Sequence, residues 1–423
     1  MKKTIKLAVV AALALGATSA FATNGDHMIG LSAESRALGG TGIALYSGNG
    51  GSGNGLTNPA LLSKSISNTE FVFAGTLFKP DVKVSTTAGA VGSPGTGVSK
   101  ESSQDFSAIP AISLSHRINN EVVVGFGMYG TAGMGVDWRG SNVSGIGTGT
   151  DLFNMRSALM LMQFAPSIAY GTKTFGVGAS VIMQYGSLSM DFDTSSTNHV
   201  GNGVSDDFGY GYQVGAYFNP TEEITIGAVY KSAIDMVYKD QISKSGEAFG
   251  YVDGSTFGAF TDHLEQPAEY GVGLAYENDS FAATFEVKEI QWGSAKGYKD
   301  FGWKDQTVFG LGGKYKADGY WVGLGYNYGK NPIPNNTDTT NVGGGNQNGH
   351  TMNMFNYVLF PATVESTYTC GTGFDLSDIT SITLAYTYAP EVSDTVAATT
   401  LAVGDVTTKH SQQALTIGAK FRF

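Results

Sequence analysis

Hydrophobic and polar residues alternate along most of this chain, with the period of two that separates the two faces of a β-strand. The last nine residues, 415–423, show this most clearly, because one face is apolar and the other carries Thr, Gly, Lys and Arg. The apolar face consists of Leu415, Ile417, Ala419, Phe421 and Phe423. An ordinary edge strand could show this pattern. A final strand that ends on an aromatic residue is typical of a bacterial outer-membrane β-barrel, where it pairs with the first strand and closes the sheet in lipid.

Fourteen such segments run from Thr69 to the end of the chain, and short and long connectors alternate strictly between them. The predicted strands are 69–80, 106–117, 121–136, 158–170, 175–192, 208–219, 224–239, 266–277, 281–292, 305–316, 320–330, 366–375, 380–390 and 411–423. This alternation predicts an all-β fold, a transmembrane antiparallel up-and-down β-barrel with long loops outside and both termini in the periplasm. A β-sandwich would not sort its connectors by length.

The two faces of the predicted strands suit lipid on one side and a barrel interior on the other. Along 320–328, one face carries only Tyr, Val and Leu, and its tyrosines fit an aromatic girdle. Gly323, Gly325 and Asn327 lie on the opposite face. The inner faces have few charges, such as Glu286, Lys288 and Lys314, and are less polar than a water channel requires.

Residues 1–22 form a predicted secretory signal peptide. Three lysines open the chain, an apolar run follows at 7–15, and Ala20-Phe21-Ala22 supplies the A-x-A cleavage pattern. The run is too short to cross a bilayer as a helix, and no later stretch reaches ~18 consecutive apolar residues. We therefore expect an exported chain without a membrane-spanning helix.

Composition narrows the class of protein further. Charged residues make up 14% of the chain and aromatic residues 12%, which favours a folded protein over a disordered one. Removing the three lysines of the signal peptide from the 25 basic residues leaves 22 against 36 acidic residues, a net charge of −14. This charge argues against a nucleic-acid partner. The single cysteine, Cys370, excludes an internal disulfide and does not follow the cleavage site as a lipoprotein cysteine would.

Residues 23–68 precede the first strand and do not show its pattern. They are rich in Gly, Ser and Asn and contain few β-branched residues. They could form a free periplasmic tail or a plug inside the barrel. Because side chains alone would not fill a fourteen-strand barrel, we expect a plug at 23–68 and a barrel at 69–423.

Ser47-Gly48 through Asn58-Pro59-Ala60 resembles the N-terminal hatch of the FadL/TodX family, outer-membrane transporters of long-chain fatty acids and other hydrophobic compounds. Further matches follow in the family's order at 165–170, 176–178, 227–232, 266–274, 303–308 and 325–332. An isolated Asn-Pro turn is the alternative reading of the hatch motif. The resemblance implies a hatch-stoppered monomer in outer-membrane lipid, insertion by the barrel-assembly machinery, a hydrophobic ligand and no cofactor.

The third predicted strand is unusually rich in glycine. Gly125, Gly127, Gly130 and Gly133 lie within it, and glycine inside a strand marks a bulge, a bend or a close backbone approach. A barrel corner would explain them. The resemblance instead implies a kink that opens the wall, through which an apolar substrate leaves sideways into hydrocarbon.

Several residues are candidates for contact with the ligand. An adaptable apolar patch on the loops could capture a hydrophobic molecule, although entry into a lipid-facing strand would explain part of it. Its members are Phe153, Met155, Phe257 and Phe260. A ligand carboxylate could be held by Arg156, Lys231 or Lys288, unless each lysine is paired with a neighbour such as Glu286.

Two other functions are less compatible with the sequence. Six scattered histidines without a GxSxG or HExxH motif argue against an enzyme and against metal chemistry. A small-solute diffusion porin is the stronger alternative, but it predicts a charged constriction. The low charge and the glycine-rich third strand favour passive, hatch-gated uptake of a hydrophobic small molecule.

Overall fold

The computed structural model describes residues 24–46, 55–87, 97, 99–139, 152–195, 198–248, 250–254, 259–336, 341–342, 347–398 and 404–423. The predicted signal peptide, positions 23 and 47–54 of the predicted plug and the candidate capture residue Phe257 lie outside the described residues.

Fourteen strands of the described residues form one closed antiparallel sheet, as the sequence predicted. They are β1 (Thr69–Thr86), β2 (Ser107–Arg117), β3 (Val122–Asp137), β4 (Arg156–Gly171), β5 (Phe175–Ser195), β6 (Ser205–Phe218), β7 (Ile224–Lys231), β8 (Glu269–Glu277), β9 (Phe281–Ile290), β10 (Gln306–Ala317), β11 (Tyr320–Gly329), β12 (Ser366–Ser377), β13 (Thr380–Ala397) and β14 (Asp405–Arg422). Each strand pairs with the next, and β14 pairs with β1 and closes the barrel.

Four strand ends differ from the prediction by six or more residues. β1 continues to Thr86 rather than ending at position 80. β7 ends at Lys231 rather than at position 239, because the chain leaves the wall there and its next residues pair with the end of the following loop. β13 continues to Ala397 and β14 begins at Asp405, so both are longer than predicted. Their outer ends carry half-exposed charged residues such as Glu391 and Lys409. The hydrophobic alternation therefore stops there although the backbone pairing continues.

The faces of the wall follow the predicted alternation. Outward side chains are apolar and exposed, for example Leu324 at 69% and Val272 at 58%. Inward side chains are buried and often polar, and Thr76 and Thr416 join across the closing pair of strands with 2.8 Å between their hydroxyl oxygens. Cys370 is exposed on β12, opposite Leu324, and thus belongs to the outward face.

Shorter elements lie inside the barrel or in its loops. They are α1 (Ala33–Ala37), a 3₁₀-helix at Pro59–Lys64, a 3₁₀-helix at Leu152–Asn154, α2 (Ile242–Ala248), α3 (Gly349–Met354), a π-helix at Phe355–Leu359, and two-stranded pairings of Ser99–Glu101 with β1, of Asn198–Val200 with β5 and of Asn341–Val342 with Gln347–Asn348. Among the described residues, no helix is long and apolar enough to cross a membrane.

The loop between β11 and β12 turns back into the barrel. Its residues 349–360, which we call the inserted loop, are buried, and the indole nitrogen of Trp138 donates to the Val358 carbonyl at 2.9 Å. Trp303 donates in the same way to the side-chain oxygen of Asn356 at 2.9 Å. A buried tryptophan contributes a large apolar ring but needs a hydrogen-bond acceptor for its indole N–H, and the inserted loop supplies that acceptor to both residues. The inserted loop thereby completes an aromatic core in the outer half of the barrel.

Candidate functional site

The wall of the barrel has a gap between β2 and β3. Pairing between these strands ends at Ala111 opposite Tyr129, so residues 130–137 of β3 have no partner in β2. On its other side β3 stays paired with β4 as far as Asp137 opposite Arg156. Residues 107–110 of β2 likewise keep only β1 as a neighbour. The two strands therefore separate over the outer part of β3.

A β-bulge lies where this separation starts. Gly130 faces Met162 and Ala132 faces Leu161, so Thr131 has no opposite residue in β4. A bulge bends its strand and increases the local twist. It accounts for the divergence of β3 from β2.

The four glycines singled out in β3 surround this bulge and have different neighbours. A Cβ atom at Gly127 would lie 2.2 Å from the Tyr129 ring, and one at Gly130 would lie 2.5 Å from Ile109. At Gly125 it would lie 3.2 Å from a methyl group of Leu62. Side chains at the first two positions would force the strand or its neighbours to move.

The first described residues of the chain occupy the unpaired edge of β3. His27 forms an antiparallel bridge with Ala132, and the Met28 N–H donates to the Thr131 carbonyl at 3.1 Å. The Gly133 N–H donates to the Asp26 carbonyl at 3.0 Å. We call residues 24–28 the edge stretch. It satisfies backbone groups that would otherwise face a gap in the wall.

A buried polar network holds the edge stretch in place. The Asp26 carboxylate is fully buried and accepts hydrogen bonds from the Gln266 amide at 3.0 Å and from the Tyr298 hydroxyl. Burial, and next the Asp26 charge, raise the pKa of Tyr298, so the phenol stays protonated and remains a donor. His27 contacts the Gln266 side-chain oxygen at 2.8 Å, and its ring centre lies 5.0 Å from that of Trp292.

A small charged cavity of about 70 Å³ lies beside the edge stretch. The ammonium of Lys231 lies 3.2 Å from a carboxylate oxygen of Glu269, and that of Lys288 lies 4.0 Å from the other. His27 approaches the same carboxylate at 3.6 Å. The structure thus brings together two of the three predicted carboxylate contacts. Arg156 lies elsewhere, at the outer end of β4, where it is 3.3 Å from Asp191.

The alternative that the lysines pair with a neighbouring acid holds for Glu269 rather than for Glu286. Glu286 instead holds the N-terminal residues. One of its carboxylate oxygens accepts from the backbone N–H groups of Gly42 and Ile43 at 2.7 and 2.5 Å. Asn58 then ties the chain together, because its amide donates to the Ile43 carbonyl at 2.7 Å and its oxygen accepts from Ala60 N–H at 3.1 Å. Pro59 occupies the first position of the 3₁₀-helix, which needs no backbone donor.

Inward-facing glycines of the wall let these N-terminal residues approach closely. A Cβ atom at Gly215 would lie 2.1 Å from the side-chain oxygen of Asn58. At Gly227 it would lie 2.1 Å from the Ile43 carbonyl, and at Gly325 2.1 Å from a backbone nitrogen. Residues 24–46 and 55–68, which we call the N-terminal segment, therefore lie against the strands with little space for side chains between them. This contact is the physical reason for the glycine-rich inner face.

The candidate capture residues are not on an exposed patch. Met155 is 1% exposed and Phe260 is 6% exposed, and Phe260 packs against Tyr251 with ring centres 4.9 Å apart. The prediction of an accessible patch is wrong for these two residues, because both lie in the aromatic core that the inserted loop helps to complete. Phe153 contributes backbone to a 3₁₀-helix, and its side chain lies outside the described residues.

The two terminal aromatic residues lie at the closing seam of the barrel. Phe421 is opposite Phe71 of β1, with ring centres 6.3 Å apart. The backbones of Thr69 and Phe423 exchange hydrogen bonds of 3.0 and 2.9 Å. The last residue of the chain thus takes part in closing the sheet.

Comparison with known proteins agrees with this architecture. The chain matches the family model described as outer membrane protein transport protein (OMPP1/FadL/TodX) over residues 8–423. Among solved structures it is similar to the P. putida toluene transporter TodX, at 18% identity over 93% of this chain and 99% of that one, with a TM-score of 0.66. A Pseudomonas aeruginosa FadL homologue is 16% identical over 96% and 99% of the chains, with a TM-score of 0.67.

The toluene transporter TbuX of Ralstonia pickettii is 17% identical over 93% of this chain and 99% of that one, with a TM-score of 0.61. Among curated proteins none matches this chain. At such low identities the likeness to solved structures shows the fold alone, whereas the family match covers nearly the whole chain.

Proposed function

This chain belongs to the OMPP1/FadL/TodX family of outer-membrane transport proteins for hydrophobic compounds, and we propose its function on that basis. It is a protein of the outer membrane. Its proposed role is the passive uptake of a hydrophobic small molecule, such as a long-chain fatty acid or an aromatic hydrocarbon. The molecule leaves sideways through the gap between β2 and β3 when the edge stretch moves out of it. The proposed partners are outer-membrane lipids and, during insertion, the barrel-assembly machinery, and the proposed working form is a monomer.

The observation that carries this proposal is the unpaired outer part of β3. Backbone groups in the wall of a membrane barrel must be satisfied, because lipid offers no hydrogen bonds. Here the edge stretch satisfies them with two backbone hydrogen bonds to Thr131 and Gly133. Such a short pairing can be released at small cost, whereas the continuous ladders of the other strands cannot.

The gap lies at a level where the outside of the barrel is apolar. Ala108 of β2, at the edge of the gap, is opposite Leu77 of β1, which is 48% exposed on the outward face. A hydrophobic molecule at this position would pass directly into hydrocarbon. Passage down a water-filled pore would instead keep its apolar surface hydrated, at about 25 cal/mol per Å².

We propose that the N-terminal segment acts as the hatch of this barrel, with a boundary near residue 68. Its contacts with Glu286 and with the inward glycines support this role. Together with the aromatic core it occupies the interior over the described residues, apart from separate cavities. A diffusion porin would need an open polar path instead.

The charges beside the edge stretch bear on the substrate. Lys231 and Lys288 face the carboxylate of Glu269. Glu286 lines the same cavity, but its carboxylate accepts hydrogen bonds from backbone N–H groups of the N-terminal segment. We propose that the two lysine ammonium groups receive the carboxylate of a fatty-acid substrate. A neutral aromatic substrate would not use them.

Uptake of labelled oleate and labelled toluene would test the function in cells that lack their own transporter and express this chain. We expect saturable uptake of at least one of them. Substitution of Lys231 and Lys288 by Met should reduce oleate uptake and leave toluene uptake unchanged. If neither compound enters and a small polar tracer does, the protein is a porin and the proposal is wrong.

A further inference from the structure

A second cavity lies at the opposite end of the barrel, where the short turns face the periplasm. Its volume is about 300 Å³. Ile66, just before β1, and Tyr320, at the start of β11, lie on its rim and are exposed by 92% and 44%. The cavity is therefore reached from the periplasm and lies apart from the gap between β2 and β3.

Most charged groups around this cavity are already paired. Lys314 lies 2.5 Å from Glu34, and Lys316 lies 2.9 Å from Glu277. The two charges within each of these pairs neutralise each other. Arg422 and Asp375 form a looser pair at 3.6 Å.

Lys420 has no such partner. It points inward from β14, is only 2% exposed and lines the cavity. Among the residues that the structure describes, its ammonium has no hydrogen bond and no ion pair. The acid beside it in the β1–β14 ladder is Glu70, which lies opposite Arg422 rather than Lys420, and the Glu70 carboxylate is 3.2 Å from the Tyr46 hydroxyl. The charges of Glu70, Glu34 and Asp375 act on the Lys420 ammonium without contacting it directly. A buried ammonium that lacks a direct partner is costly, so its position favours an anion from outside the chain.

A second lysine of the cavity has only neutral partners. The ammonium of Lys64 donates to the side-chain oxygens of Asn219 and Thr225 at 3.0 and 2.7 Å. Burial lowers the pKa of Lys64 to about 8, with Glu277 opposing this effect. Lys64 therefore keeps a charge at neutral pH that no carboxylate contacts directly.

The remaining wall is apolar in part. Trp321 lines the cavity and is 5% exposed, and Ile66 and Tyr320 lie at its rim. A ligand with one charged group and a short hydrocarbon portion fits this combination better than a sugar or a cation. Five basic and four acidic side chains line the cavity, and this excess of one positive charge disfavours a positively charged ligand.

We propose that the periplasmic mouth of the barrel is a binding site for an oxyanion, a carboxylate or a phosphate, and that Lys420 is its principal contact. Lys64 adds a second positive charge, and Trp321 covers the apolar part of an amphiphilic ligand. The site is independent of the transport route proposed above. It would bind from the periplasm even in a variant whose uptake is abolished.

The test uses full-length protein labelled with 5-fluorotryptophan in a detergent without carboxylate or phosphate groups. The chain has four tryptophans. Trp138, Trp292 and Trp303 belong to the aromatic core of the outer half, and Trp321 belongs to a separate cluster near the cavity. Substitution of Trp321 by Phe assigns its ¹⁹F resonance, which then reports on this cavity alone.

Titration with octanoate and, separately, with inorganic phosphate should shift the Trp321 resonance. Lys420→Gln should raise the half-saturating concentration about tenfold or more, since it removes one hydrogen bond between charged groups. Lys420→Arg should retain binding. Lys409→Gln, a change in the same strand at its exposed outer end, is the matched control and should have no effect.

The two probes also distinguish the source of the anion. A response to octanoate alone identifies an amphiphilic carboxylate, and a response to inorganic phosphate identifies a small free anion. An unmoved Trp321 resonance with both probes would overturn the proposal, as would equal affinity in Lys420→Gln. If that variant does not fold, the wild-type protein still tests the proposal. Octan-1-ol, which has the same hydrocarbon chain but no charge, must shift the Trp321 resonance far less than octanoate does.

Discussion

The hydrogen bond from Tyr298 to Asp26 should control how often the edge stretch leaves β3. Asp26 is fully buried, and in the described residues Tyr298 and Gln266 are its side-chain donors. Tyr298→Phe removes one bond to a charged group, worth about 1.5–3 kcal/mol. Because 1.4 kcal/mol corresponds to a factor of ten, the undocked population should rise by about 10-fold to 100-fold.

Hydrogen exchange would measure this directly. The amides of Met28 and Gly133, which join the edge stretch to β3, should exchange faster in Tyr298→Phe by the same factor. Tyr238→Phe is the matched control, because the buried Tyr238 hydroxyl has no hydrogen-bond partner among the described residues. Removing it breaks no bond and should leave exchange unchanged. Equal exchange in the two variants would refute the role of Asp26 as the anchor.

Three further predictions concern the wall, the seam and the loops. Replacing Gly127 and Gly130 together by Val should block uptake while the barrel still assembles, because a Cβ atom at these positions would lie 2.2 Å from Tyr129 and 2.5 Å from Ile109. Normal uptake would contradict this. Deleting Phe423 should lower the amount of protein in the outer membrane, measured by heat-modifiable mobility of the barrel, because its backbone closes the seam. Partial burial favours the neutral form of Asp235, but the hydrogen bonds and charges of Lys296 and His263 together outweigh this effect and lower the pKa of Asp235. Because the pKa of Asp235 is lowered by folding, its contacts stabilise the folded loop above the usual Asp pKa and are lost as the pH falls below it. Hydrogen exchange of the loop amides should therefore speed up in acid, and Asp235→Asn should remove this pH dependence.

The barrel could be predicted from the sequence because its determinants are local. Alternation of apolar and polar residues and the lengths of the connectors are visible in short windows, and they give the strand number and order. The outer ends of β13 and β14 were not predicted as strand, because residues such as Glu391 and Lys409 break the apolar pattern where the wall leaves the lipid. Backbone pairing does not depend on that pattern.

The site could be predicted only in part because its contacts join distant segments. The glycines of β3 were visible, but the bond between Asp26 and Tyr298 spans 272 positions and leaves no local signal. The burial of Met155 and Phe260 follows from the return of the inserted loop into the barrel, which short windows do not reveal. One available signal was missed: glycines on an inward strand face indicate that another backbone lies against it.

The most direct test of lateral transport is uptake with the edge stretch locked onto β3. His27 and Ala132 form a non-hydrogen-bonded pair, which brings Cα atoms to ~4.5 Å, within the range of a disulfide. His27→Cys with Ala132→Cys, in a Cys370→Ser background, should take up neither labelled oleate nor labelled toluene when oxidised and should recover after reduction. A control pair, Phe73→Cys with Ala419→Cys across the closing seam, should transport in both states. Undiminished uptake by the fully cross-linked His27–Ala132 pair would contradict lateral exit through this gap.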